Sequence, residues 1–185
     1  MKKKLFILSL LIISSTFVFA QKIEISAGFG APSLYGVTND FGNALANIVL
    51  KNAESPNSFG ALGVSALIYS KEEKWRYGLD VVSEFYTVKN TGYSKKSTLS
   101  IMPRTDYFWS GSDRKLRLYS GVSVGVYLNR GTIKNAANGD EKITDTIFGF
   151  NITPIGIRYG SQFAVFVEPN IGTKGIVQAG VSYRF

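Results

Sequence analysis

The chain has 185 residues, a formal net charge of +8, and neither Cys nor His. It therefore has no thiol chemistry, no disulfide framework, no imidazole base and no Cys/His metal site. Aromatics are abundant (13 Phe, 10 Tyr), and no stretch beyond residue 20 approaches the roughly 18 apolar residues of a membrane-spanning helix.

Residues 1–20 (MKKKLFILSLLIISSTFVFA) join three lysines to an apolar run and a small-residue end. This is the pattern of a secretory signal peptide, with cleavage expected after Ala20. The competing reading, an anchoring helix from Leu5 to Ala20, is short for a span. Cleavage leaves one domain, 21–185, whose net charge falls to +5 because three Lys and no acid are lost. That modest, unclustered excess does not suggest a nucleic-acid partner.

Eight segments read as strands: 22–30, 58–69, 74–88, 96–109, 115–129, 144–158, 162–171 and 175–185. Tight turns at Ser70–Glu73, Ser110–Arg114 and Tyr159–Ser161 alternate with longer loops at Ala31–Asn57, Lys89–Lys95 and Arg130–Ile143, and a short one at Thr173–Lys174. Short turns on one rim and longer loops on the other is the arrangement of an outer-membrane barrel. Within the first loop, Phe41, Leu45, Ile48 and Val49 keep helical spacing behind Asn39-Asp40, which predicts a short helix. Pro103, Pro154 and Pro169 fall inside strand segments, where a missing N–H interrupts the ladder, so a bulge is expected at each.

The strands alternate at period two. In the fifth, Leu116, Leu118, Val122, Val124, Val126 and Leu128 share one phase; Arg117, Tyr119, Ser123, Tyr127 and Asn129 share the other. In the third, Trp75, Tyr77, Leu79, Val81 and Phe85 oppose Arg76, Asp80, Glu84 and Tyr86. Periodicity alone does not say which phase faces inward. The choice rests on the leader, on Trp and Tyr near strand ends, and on the closing GIVQAGVSYRF, which ends on Tyr183 and Phe185. The apolar phase is accordingly assigned to lipid, and the polar phase to the lumen.

That assignment places ten charges inside: Glu24, Arg76, Asp80, Glu84, Arg104, Asp106, Arg117, Arg158, Glu168 and Arg184. Arg158 is the uncertain member, since Pro154 shifts the phase before it if a bulge forms there. Five are acids, five are Arg and none is Lys, which favours interlocked ion pairs over a pore lined by one sign. Glu24 and Arg184 are expected to pair near one rim, with Arg76, Asp106 and Arg117 together at the same end. The loops carry eight basic residues, Lys51, Lys89, Lys95, Lys96, Arg130, Lys134, Lys142 and Lys174, against five acids. Such a rim either meets lipid phosphates or an acidic partner, or is simply solvated.

No catalytic constellation is visible. Asp80 and Glu84 lie four positions apart on one strand face, about 13 Å between Cα atoms, too far for a glycosidase couple. No enzyme activity, cofactor or metal is expected.

The segments LSIMPRTDYFW and KLRLYSGVSVGVYL, with the tail ITPIGIRYGSQFAVFVEPNIGTKGIVQAGVSYRF, resemble the outer-membrane β-barrel domain proteins abundant in Bacteroidota. The resemblance covers the last half of the mature chain and carries a Pro-x-Gly-x-Arg-Tyr segment. It implies an eight-stranded up-and-down barrel of the OmpA or OmpX type and transfers no site residues. The expectation is a monomeric outer-membrane barrel in contact with outer-membrane lipid and lipopolysaccharide. Tyr183 and Phe185 would serve as a C-terminal signal to the barrel assembly machinery. Its role would be structural or surface-interactive. A narrow porin-like channel and a soluble lipocalin-like barrel for a hydrophobic ligand are the alternatives.

Overall fold

A ribbon with one apolar and one polar face is stable only where each face meets a matching medium. In the computed structural model, which describes residues 22–36, 57–88, 93–134 and 140–185, the ribbons meet that demand by closing into a ring. The strands are β1 (Ile23–Gly30), β2 (Asn57–Tyr69), β3 (Trp75–Thr87), β4 (Tyr93–Phe108), β5 (Leu116–Ile133), β6 (Glu141–Gly160), β7 (Phe163–Pro169), β8 (Ile171–Gly172) and β9 (Val177–Arg184). Each of β1 to β5 pairs antiparallel with the next; β6 pairs with β7 and β8, β7 with β9, and β9 with β1. β7 and β8 are two pieces of one stave parted at Asn170, whose N–H still donates to Ile176 O at 2.8 Å. The chain is thus an all-β, eight-staved antiparallel barrel whose ring closes through the β9–β1 pairing. The leader at 1–20 and the helix expected at Phe41–Val49 lie outside the described residues; a single helical turn spans residues 34–36.

The staves differ in length. β4, β5 and β6 run 16, 18 and 20 residues, against 8 in β1 and β9. The segment read as a loop at Arg130–Ile143 is therefore largely a hairpin: the β5–β6 ladder continues to Ile133↔Glu141. Residues 144–148 are exposed whichever way they point, because here the sheet rises past its shorter neighbours.

Of the three prolines, only Pro154 makes a bulge. The β5–β6 register slips by one between Tyr119↔Gly156 and Gly121↔Thr153, and Pro154 and Ile155 both face outward. At Pro103 the β4–β5 ladder skips two residues and resumes unshifted, from Ile101↔Val126 to Arg104↔Ser123. Pro169 keeps the β7–β9 register, opposite Val177. The expected bulges at those two sites are thus corrected: each proline sits where the lost donor is tolerated without an extra residue. Ile176 lies just before β9 and faces outward together with Val177.

The faces are sorted in the reverse of a soluble protein. The largest fully buried side chains include Arg117, Arg158, Lys174, Glu24, Glu84 and Glu168, whereas Ile25, Val64, Leu79, Val124, Ile152, Val165 and Val181 are exposed. Charged residues are almost never fully buried unless paired, so the ring encloses a polar core within an apolar jacket. Aromatics edge that jacket. Trp75, Tyr77, Tyr107, Trp109, Tyr159, Phe163, Tyr183 and Phe185 are exposed at the short-turn end, and Phe29, Phe59, Phe85 and Phe148 towards the loop end. Trp75 and Phe85 lie on the same face of β3, about 33 Å apart along the strand and roughly 25 Å along an axis tilted some 40°, the height of a lipid-facing band.

Candidate functional site: the charged barrel interior

Alternation turns every second residue of each stave inward, and an eight-stranded barrel is just wide enough for those side chains to fill. Here they meet as ions. Glu24 on β1 takes Arg158 at 2.8 Å and Arg76, and accepts from the Tyr69 hydroxyl at 2.9 Å. Arg76 Nε donates to Asp106 Oδ2 at 2.6 Å, and Arg104 Nε to Asp106 Oδ1 at 2.8 Å. Arg104 also donates to Glu168 Oε1 at 2.7 Å and lies 3.5 Å from Asp80. Lys174 Nζ closes a cycle, 2.9 Å from Glu168 and 3.5 Å from Asp80.

The result is one connected chain, Arg158–Glu24–Arg76–Asp106–Arg104–Glu168–Lys174–Asp80, with the last link returning to Arg104. Four cations face four carboxylates, so the network is neutral as a whole. Removing one partner of a buried pair typically costs about 3–5 kcal/mol, because the other charge stays stranded. The network is braced by rings. Tyr69 stacks on Phe108 at 5.6 Å, and Tyr119 meets Phe108 at a tilt, 5.2 Å between centroids. Arg76 lies 4.6 Å from the centre of Tyr119, and Arg117 lies 3.8 Å from that of Phe108. Guanidinium groups stack on aromatic faces in a way ammonium groups do not.

The turn-end mouth has its own cluster. Glu73, in the β2–β3 turn, takes Arg184 at 2.8 Å, Arg117 at 3.6 Å, and Lys22. Burial pushes the Glu73 carboxyl up, but the Lys22 hydrogen bond and the charges of Arg184, Lys22 and Arg117 outweigh it and hold the group below its ordinary value. At the loop-end mouth, Glu84 accepts from Ser33 N at 2.9 Å, Ser33 Oγ at 2.6 Å, Tyr86 Oη at 3.1 Å, and Ser58 Oγ. No cation pairs with it among the described residues. Tyr35 stacks on Tyr127 at 4.7 Å, so the segment after β1 folds into the opening.

Eight of the residues singled out from sequence, Glu24, Arg76, Asp80, Glu84, Arg104, Asp106, Arg117 and Glu168, are buried inside, and Arg184 is half-buried at the rim. Arg158 also lies inside. The expected pairing of Glu24 with Arg184 is corrected. The two are register partners across β1 and β9, yet Arg184 reaches over the mouth to Glu73 while Glu24 binds Arg76 and Arg158. Arg117 does not join Arg76 and Asp106; it donates to Glu73 O and stacks on Phe108. Lys174, read as a solvated loop residue, is buried among the interior carboxylates. Glu73, read as a turn residue, closes the mouth.

No protein-family model and no curated protein matches the sequence. Among solved structures the barrel is similar to the N-terminal β-barrel domain of Pseudomonas aeruginosa OprF, at 13% identity and a TM-score of 0.52, covering 89% of this chain and 97% of that one. It is also similar to Neisserial surface protein A, at 15% identity and a TM-score of 0.52, covering 90% and 98%. At such identities the likeness concerns the fold, which is that of eight-stranded outer-membrane barrels.

Proposed function

We propose that the chain is an integral outer-membrane barrel, exported by residues 1–20, whose lumen is closed by its ion pairs and which acts structurally or through surface contacts at its loop end. The observation that carries this reading is the inversion of faces: an apolar jacket edged by aromatics around a core of paired charges. Arg in lipid at mid-depth costs about 2–4 kcal/mol, whereas an apolar face in water favours association. Only a bilayer suits both faces at once. Within the closed ring each stave is paired on both sides, which fits a monomer. β9 and the Phe185 that follows it, with Tyr183 and Phe185 outward, form the segment we assign to the assembly machinery. The Bacteroidota-type resemblance of the tail belongs to the same reading, and catalysis is no part of it. A lipocalin-like role fits poorly, since the interior offers ions rather than an apolar cavity.

The test is single-channel recording of protein purified from membranes and inserted into a planar bilayer. A closed lumen gives silence from the wild type and flickering openings from an Arg76→Ala/Arg117→Ala variant that still shows a heat-dependent gel shift. Steady conductance from the wild type would replace the plug with a narrow channel.

A further inference from the structure

Where β4, β5 and β6 rise above the shorter staves, their two faces carry different charges. Lys95 pairs in register with Thr132, and Thr132 with Lys142; one row nearer the barrel, Ser97 pairs with Arg130 and Arg130 with Thr144. These six residues share the outward face, because Arg130 and Thr132 continue the phase of Val122, Val124 and Val126. They line a shallow groove of about 230 Å³. Glu141 and Asp145 take the opposite phase, opposite Ile133 and Asn129, and Lys96 turns inward over the Tyr86 ring at 4.8 Å. Asp140 lies beyond the last rung and accepts from Ser94 at 3.0 Å. No salt bridge joins Lys95, Arg130 or Lys142 to a described carboxylate.

Directly below, on the same face, come the rows Leu99–Leu128–Thr146 and Ile101–Val126–Phe148. The face thus passes, within two rows, from aliphatic and aromatic side chains to three cations interleaved with three hydroxyls. Strands lie about 4.8 Å apart, so Lys95 and Lys142 flank Thr132 at roughly 10 Å, with Arg130 about 7 Å below it. Both ammonium groups and the guanidinium fork can converge on one phosphate, with the hydroxyls as further donors.

We infer that this face is a binding site for the phosphorylated headgroup of an outer-leaflet lipid, whose acyl chains lie along Leu99, Leu128, Ile101 and Phe148. The inference rests on the outer-membrane reading and names the lipid chemistry and the residues that meet it. A basic surface alone attracts any anion; the apolar rows directly beneath are what select an anion carrying hydrocarbon.

The experiment uses protein purified from membranes in non-ionic detergent, titrated by native mass spectrometry with lipid A and, separately, with its dephosphorylated form. Each charge near such a surface contributes enough that single Ala replacements should weaken lipid A binding about fivefold, and Lys95→Ala/Arg130→Ala/Lys142→Ala about a hundredfold. Lys95→Arg/Lys142→Arg should keep binding. Lys71→Ala/Lys74→Ala/Lys115→Ala, which removes as much charge from the opposite rim, should leave it unchanged. Equal loss from both triple variants, no preference for the phosphorylated lipid, or full displacement by inorganic phosphate would each overturn the site. Flotation with phosphatidylcholine vesicles separates the two readings. Protein that fails to float defeats the membrane reading and this one with it, whereas protein that floats without preferring lipid A defeats this one alone.

Discussion

Arg158 faces the lumen because Pro154 and Ile155, just before it on β6, both face outward. With strict alternation from Asn151 and Thr153, which point inward, Arg158 would point into lipid. The bulge adds one residue and reverses the phase, delivering Arg158 to Glu24 at 2.8 Å. Inserting an Ala between Ile155 and Gly156 should therefore cost at least about 3 kcal/mol, by turning Arg158 towards lipid and stranding Glu24. Pro154→Ala keeps the extra residue and should stay within about 1 kcal/mol of the parent. Urea unfolding midpoints in vesicles measure both, and an insertion as mild as the substitution would refute this role for the bulge.

Arg104 touches Asp80, Asp106 and Glu168, more carboxylates than any other interior cation. Arg104→Met should destabilise the barrel by about 3–5 kcal/mol, since buried anions lose a shared partner. Adding Glu168→Gln restores the balance, three cations against three carboxylates, so the double variant should be more stable than Arg104→Met alone. Independent, additive losses in the same unfolding assay would mean that the network is a set of separate pairs.

The two-residue period made the interior legible wherever a strand keeps its phase, which is why Arg76, Asp80 and Glu84 on β3 were found together. It was blind in three kinds of place. A bulge flips the phase, so Arg158 stayed uncertain. A turn has no phase at all: Lys174 enters the lumen just before Gly175, whose φ of 92° places it where a Cβ would lie 2.2 Å from Ala31 O, and Glu73 swings over the mouth with a φ of 54°. Neither geometry is written in local composition. Periodicity also gives a face but neither depth nor bearing around the axis. Glu24 and Arg184 were therefore matched as register neighbours, although long side chains meet across the lumen.

The mouth cluster predicts a pH dependence. Glu73 is held below its ordinary value of 4.5 by Lys22, Arg184 and Arg117 against the effect of burial. A carboxyl lowered in the folded state contributes stability that is fully present above its unfolded pKa and is lost as pH falls through the folded one. The stability gap between wild type and Glu73→Gln should therefore stay constant from neutral pH down to about 4.5 and close below it. A gap that widens on acidification would reverse the sign and rule out the ion cluster as its source.

The last residue separates assembly from stability. The Phe185 side chain is 68% exposed and meets the Tyr183 ring at 4.8 Å, while its backbone N–H donates to Ile23 O at 2.8 Å. Phe185→Ala leaves that backbone bond in place and removes little packing, so the folded barrel should change by less than about 1 kcal/mol. If the exposed ring instead serves recognition of β9 during insertion, the same substitution should lower the heat-modifiable protein in the membrane fraction several-fold. Tyr183→Ala should act in the same direction. Full yield from both variants would remove the assembly role. A fall in yield matched by an equal fall in the unfolding midpoint would trace the effect to packing at the rim.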